Sequence, residues 1–226
     1  MTTHDIAVVG SGYMGGGIAQ VLALAGHRVR IADVSAEIAQ ANLERLLDEA
    51  EQFATDGLFP ADAVERIRAN LTAAASIEEA VAEASFIEEA VPERIEIKHD
   101  TLRRIAAAAR PDAIIGSNTS TILIGSLAEA VERPERFLGV HFSNPAPFIP
   151  GVELISHDAT DPAAVEVVEA IVASTGKQSA RVGDATGFVL NRLQYALFHE
   201  ATQLVDSGIA SPEDIDTIVR TTFGFR

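Results

Sequence analysis

Residues 6–15 read Ile6-Ala7-Val8-Val9-Gly10-Ser11-Gly12-Tyr13-Met14-Gly15, and this stretch decides the fold. Four apolar residues form a buried-strand run, and three glycines follow at the spacing GxGxxG. The next residues open a helix that runs to about Ala25. Each glycine has a physical task in such a strand–turn–helix unit. Gly10 permits the tight turn, Gly12 lets the backbone approach a pyrophosphate, and Gly15 lets helix and strand pack closely. The helix start then offers unpaired N–H groups and the positive end of a dipole, with Tyr13 and Met14 in its first turn. Asp33 stands 23 residues after Gly10, at the end of a second strand run. A carboxylate there can accept hydrogen bonds from both ribose hydroxyls and would repel a 2′-phosphate. A lone GxGxxG is often only a turn. With strand, helix and Asp33 in register, the reading is dinucleotide binding, NAD in preference to NADP.

Working outward, apolar runs at 6–9, 29–32, 86–90, 113–116, 137–142 and 152–156 alternate with helical periodicity. That is the pattern of an α/β protein, a Rossmann-type, mostly parallel sheet covered by helices. The acidic, alanine-rich stretch 35–69 is too long for one crossover helix, and Asp56-Gly57 with Pro60 marks a turn inside it, which predicts an inserted helical hairpin. From Asp184 the pattern becomes a long helix with apolar residues on more than one side, a helix expected to be buried. Ser211-Pro212 caps a second helix that begins at Glu213. The division expected is a nucleotide-binding domain over residues 1–185 and the start of an all-α domain over 186–226. Two helices alone leave apolar surface exposed, so the helical part reads as incomplete or covered by another chain, with a homodimer the expected assembly.

Composition narrows the chemistry. With no cysteine among 226 residues there is no thiolate nucleophile or Cys-ligated metal, and six scattered histidines show no ligand spacing, so no metal is expected. A net charge of −16 argues against nucleic acid as a partner. No apolar run reaches membrane-spanning length and the start resembles no secretion signal, so a cytoplasmic chain with a small-molecule substrate is expected. Among the histidines, His141 closes the run 137–142, at the carboxyl end of a strand, where open α/β sheets place ligands. Glu153 begins the next run, so adjacent strands could pair the two as a general base and its orienting carboxylate. On the residues alone a lone histidine is more often structural, and that reading stays open beside the catalytic one.

Five segments are specific together: GSGYMGGGIA (10–19), EEAVPE (88–93), SNTST (117–121), GVHFSNPAPF with VELI (139–155) and DATGFVLNRL (184–193). In this order the chain resembles the L-3-hydroxyacyl-CoA dehydrogenase family from Ile6 to about Asp216. The resemblance implies that His141 is the catalytic base and Glu153 its partner, that Ser120 binds the reacting oxygen, and that Asn191 helps hold the substrate. It also implies that Asn144 shapes the pocket and that Glu93 and Lys98 line the nicotinamide half of the cofactor. Read without it, Ser120 and Asn118 could serve a cap or turn, Asn191 could satisfy backbone groups, Glu93 and Lys98 could be an exposed weak pair, and the prolines at 145, 147 and 150 could stiffen a loop. The chain departs from the acyl-CoA pattern at Ser143, where a bulky apolar residue is usual. It also lacks a lysine shortly before Glu153, and the hairpin has Arg66 and Arg68 but is otherwise acid-rich. These departures keep a free polar 3-hydroxy acid or a carrier-bound acyl group open as substrate, and the short helical part keeps open a non-catalytic nucleotide-binding role.

Overall fold

The computed structural model describes residues 2–224. The chain divides into two compact units, Met1–Thr186 and Gly187–Arg226. The first is built on an eight-stranded sheet: β1 (Asp5–Val9), β2 (Arg28–Ala32), β3 (Leu71–Ala73), β4 (Phe86–Glu89), β5 (Ile114–Ser117), β6 (Phe137–Phe142), β7 (Gly151–Ser156) and β8 (Gln178–Gly183), in the order β3-β2-β1-β4-β5-β6-β7-β8. Neighbouring strands are parallel except β6 and β7, which are antiparallel. From β1 the chain runs first toward one edge through β2 and β3, then returns to build β4 onward on the other side. Beside β1 and β4 the strand order therefore reverses, and a crevice opens at their carboxyl ends.

Helix α1 (Tyr13–Leu24) crosses from β1 to β2, with every residue from Gly15 to Ala23 buried. Such burial needs small residues at the sheet contact. A Cβ on Gly15 would lie 1.8 Å from the Gly10 carbonyl oxygen, and one on Gly17 would lie 2.9 Å from Pro147. The expected helical hairpin is α2 (Ala36–Thr55) and α3 (Ala63–Asn70). Ser35 caps α2 by accepting from the Ile38 N–H, and Gly57, at φ +72°, turns the chain out of it. Phe53 and Phe59 of the hairpin meet Phe148 edge-on or tilted, with ring centroids 4.9 and 5.8 Å away, which beds the 143–150 connection on the hairpin. Helices α4 (Ile77–Val81), α5 (Ile95–Ala108), α6 (Ile124–Ala128) and α7 (Pro162–Ser174) complete the layers.

Two strands escaped the sequence reading. β3 has three residues, and β8, Gln178–Gly183, is an edge strand with no buried residue, so neither carries an apolar run. The second unit holds α8 (Leu190–Asp206) and α9 (Pro212–Thr222), joined through Gly208 at φ +67°. Ser211 caps α9 from the Asp214 N–H. The expectation that the long helix is buried is not met within this chain. No residue of α8 or α9 is buried, and Leu193, Tyr195 and Phe198 are 66–71% exposed. Among the described residues no helix is long and apolar enough to cross a membrane.

Candidate active site

The crevice beside β1 and β4 is a cleft of ≈ 560 Å³ whose lining includes Gly10, Gly12, Met14, Asp33, Glu93, Asn118 and Ser120. Seven of the residues singled out from sequence thus meet in one place. Gly10 adopts φ +95°, and a Cβ there would lie 2.7 Å from the Ala90 backbone, so only glycine serves. Gly12 has open space where its Cβ would stand. That space, at the start of α1, is the room a pyrophosphate needs against the helix N–H groups, and the loop therefore fits a dinucleotide. Tyr13 begins α1 and is 65% exposed. Asp33 is more committed than the sequence reading supposed. Its Oδ2 accepts from the Ser11 N–H at 2.8 Å and the Ser11 hydroxyl at 2.6 Å, and its Oδ1 accepts from the Val34 N–H at 2.8 Å. Of four acceptor directions on a carboxylate, one remains open on Oδ1, in place of the two a full ribose clamp would use.

At the ends of β6 and β7 the antiparallel register sets His141 directly opposite Glu153. His141 Nδ1 lies 2.8 Å from Glu153 Oε2, and both residues are buried. A carboxylate accepts and cannot donate, so with Glu153 ionised the ring hydrogen sits on Nδ1 and Nε2 presents a lone pair. Ser120 Oγ lies 3.1 Å from that Nε2. Ser120 also lines the cleft, so one hydroxyl joins the imidazole–carboxylate pair to the space for a ligand. Asn118 Oδ1 accepts from the Phe142 N–H at 2.8 Å, which ties the end of β6 to the loop after β5. Asn144 is exposed in the β6–β7 connection and is not among the residues lining the cleft. Asn191 is the second residue of α8, in the other unit.

Glu93 and Lys98 are not an exposed weak pair. Lys98 is 1% exposed and donates to Glu89 Oε1 at 2.8 Å and the Val91 carbonyl at 3.2 Å, with Glu93 Oε2 3.5 Å away. Its ammonium is spent on fixing the turn after β4, and it does not line the cleft. Glu93 Oε1 accepts from the Thr119 hydroxyl, the Ser120 and Thr121 N–H groups and the Thr121 hydroxyl at 2.7–3.0 Å. Burial works to raise its pKa, yet the Thr119 hydrogen bond, the Lys98 charge and the two backbone donors outweigh burial and hold it below the usual value. Glu93 thereby sets the loop that carries Ser120. Glu89, missed in the sequence, anchors the same floor: its Oε2 accepts from the Ser117 hydroxyl at 2.5 Å. Its neighbour Glu88 faces the other side of the sheet, fully buried, with no hydrogen-bond partner for either oxygen. Burial, then the charge of Glu89, raise the Glu88 pKa well above normal against the pull of Lys98.

Residues 5–185 match the family model described as 3-hydroxyacyl-CoA dehydrogenase, NAD binding domain, and residues 187–226 match that of the C-terminal domain. The chain belongs to the 3-hydroxyacyl-CoA dehydrogenase family. It is 36% identical over 225 residues to 3-hydroxyadipyl-CoA dehydrogenase of Escherichia coli, covering 100% of this chain and 47% of that protein. It is likewise 36% identical to L-carnitine dehydrogenase of Pseudomonas putida, over 97% of this chain and 68% of the relative. The solved (S)-3-hydroxybutyryl-CoA dehydrogenase of Ralstonia eutropha superposes with a TM-score of 0.90 at 30% identity, over 99% of this chain and 79% of that one. This chain thus spans about half the length of the E. coli relative, and the family's NAD-binding domain is the part in which the cleft and the His141–Glu153 pair lie.

Proposed function

We propose that the chain catalyses NAD-dependent oxidation of the hydroxyl of an L-3-hydroxyacyl-CoA to the ketone, and the reverse reduction. The observation that carries this reading is the chain Ser120–His141–Glu153, one end of which lines the cleft. Gly10, Gly12, Met14 and Asp33 would hold the cofactor, with its pyrophosphate at the start of α1. NAD, when bound, supplies an acceptor for the hydride leaving the carbinol carbon. A substrate hydroxyl resting against Ser120 is within reach of Nε2, so His141 takes its proton as the C–H bond breaks and returns it in reduction. Glu153 opposes the charge that develops on the imidazole. Ser120 accelerates the step to the extent that its hydrogen bond strengthens as the oxygen gains charge. Family resemblance assigns substrate holding to Asn191.

A second reading, oxidation of a free polar 3-hydroxy acid, draws on Ser143, on the missing lysine before Glu153, and on the relative that acts on carnitine. The test is NADH oxidation with acetoacetyl-CoA, followed by absorbance, beside His141→Ala, with carnitine and free 3-hydroxy acids run against NAD. Turnover with acetoacetyl-CoA that falls at least about 10²-fold in the variant supports the first reading. Activity confined to a free acid selects the second, and turnover unaffected in His141→Ala refutes the assignment of the base. We also infer a homodimer from the exposed Leu193, Tyr195 and Phe198, and a monomeric mass in sedimentation at micromolar concentration would overturn it.

A further inference from the structure

Ser11, the second residue of the glycine loop, is fully buried and does not line the cleft, yet all of its polar groups are engaged. Its N–H and hydroxyl meet Asp33, its Oγ lies 2.8 Å from Asn42 Nδ2, and its carbonyl accepts from Arg45 Nη2 at 3.3 Å. Asn42 and Arg45 belong to α2, more than thirty residues away in the hairpin. The direction of each bond follows from what each group can do. A guanidinium only donates, so Asn42 Oδ1 accepts from Arg45 Nε at 3.3 Å, which fixes the amide orientation. The Asn42 amide nitrogen then donates to Ser11 Oγ, and the single hydroxyl hydrogen of Ser11 goes to Asp33 Oδ2. Glu49 holds Arg45 in place, its Oε1 accepting from Arg45 Nη1 at 2.5 Å.

We propose that Asn42 and Arg45 are positioning residues for cofactor choice. A one-way chain of hydrogen bonds, Arg45 to Asn42 to Ser11 to Asp33, orients the Asp33 carboxylate so that its open acceptor direction serves a ribose hydroxyl and its charge excludes a 2′-phosphate. The proposal rests on the reading that the cleft takes NAD. It makes the hairpin part of the cofactor site, although the hairpin lies outside the strand–glycine–helix unit that announces that site in sequence. Chains of this kind strengthen each member, and hydrogen bonds to a charged group are the stronger ones, so breaking the chain is felt at its charged end.

The test uses NADH and NADPH fluorescence titrations of the whole chain and three variants. Asn42→Leu and Arg45→Met interrupt the chain, whereas Asn42→Asp keeps size and the bond from Arg45 but accepts where Asn42 donated. Ser11 then has two carboxylates competing for one hydrogen. The expected result is NADH binding weakened about fivefold in Asn42→Leu and Arg45→Met, and about tenfold or more in Asn42→Asp. KM for NAD should rise in parallel, with kcat at saturating NAD held within about twofold, and the NADH-over-NADPH preference should narrow in Asn42→Leu. A purely structural role would scale the losses with the fall in apo unfolding midpoint, and Asn42→Asp would then be no worse than Asn42→Leu. That outcome, or an Asn42→Asp variant that binds NADH like wild type, overturns the proposal. Wild-type protein that fails to bind NADH removes the NAD reading itself and the proposal with it.

Discussion

Replacing Glu88 by Met should stabilise the protein, and more so as the pH rises. Glu88 is fully buried on β4 with both carboxyl oxygens unpartnered, and the space it occupies exists because Gly116 on β5 has no side chain: a Cβ there would lie 2.4 Å from Glu88 Oε2. Around it stand Phe86 and Val140, with Glu89 and Lys98 the charged groups that act on it. Two effects add. An unsatisfied buried acceptor costs about 1–3 kcal/mol at any pH, and methionine of similar shape removes it. The second effect comes from protonation. The folded-state pKa lies well above the 4.5 of the unfolded chain, so folding takes up a proton between those two values. This contribution to stability is full below 4.5 and is lost as the pH climbs from there through the folded pKa, at about 1.4 kcal/mol per unit. Urea denaturation of wild type and Glu88→Met from pH 5 to 8, in steps of about one unit, should show the variant gaining with pH. At neutral pH its melting midpoint should lie several degrees higher, at about 2–4 °C per kcal/mol. A variant less stable than wild type, or a difference flat across pH, would refute the picture of a neutral acid held in an apolar core.

Three further outcomes are expected. Glu153→Gln should lower kcat by about 10²- to 10⁴-fold with a much smaller change in NADH affinity, because the imidazole loses the carboxylate that opposes its developing charge; matched steady-state and binding measurements check this. His27 is buried, accepts from the His4 N–H at Nδ1 and donates from Nε2 to Ser174, and burial followed by the nearby His4 lowers its pKa below 6.5. Its contribution to stability is therefore present above pH 6.5 and falls as the pH drops through the folded value, so His27→Gln should flatten the acid limb of the midpoint-versus-pH curve. Gly15→Ala should abolish NADH binding and cost at least about 1–3 kcal/mol in urea, since its Cβ would collide with the Gly10 carbonyl.

What the sequence made legible was local. The run 6–15, Asp33, and the Asp56-Gly57 break in the hairpin are read from neighbours along the chain, and Gly10 and Gly57 in those turns both have positive φ. His141 and Glu153 were also within reach, because two adjacent strand runs imply a ladder. The Arg45–Asn42–Ser11 chain was not, since α2 reaches the glycine loop only after the hairpin has folded back on α1. Lys98 misled for a related reason: five residues from Glu93 on paper, it turns inward to Glu89, whose burial nothing in EEAVPE advertises. β8 failed on composition, since an edge strand with its side chains in solvent looks like a loop.

Because His141 and Glu153 face each other across a ladder, their spacing is set by backbone register and not by the residues that join them. The 143–150 connection can change in length and character while the pair stays together, provided the strands keep their alignment. Insertion or deletion in that connection therefore leaves the distance between imidazole and carboxylate where the two strands put it.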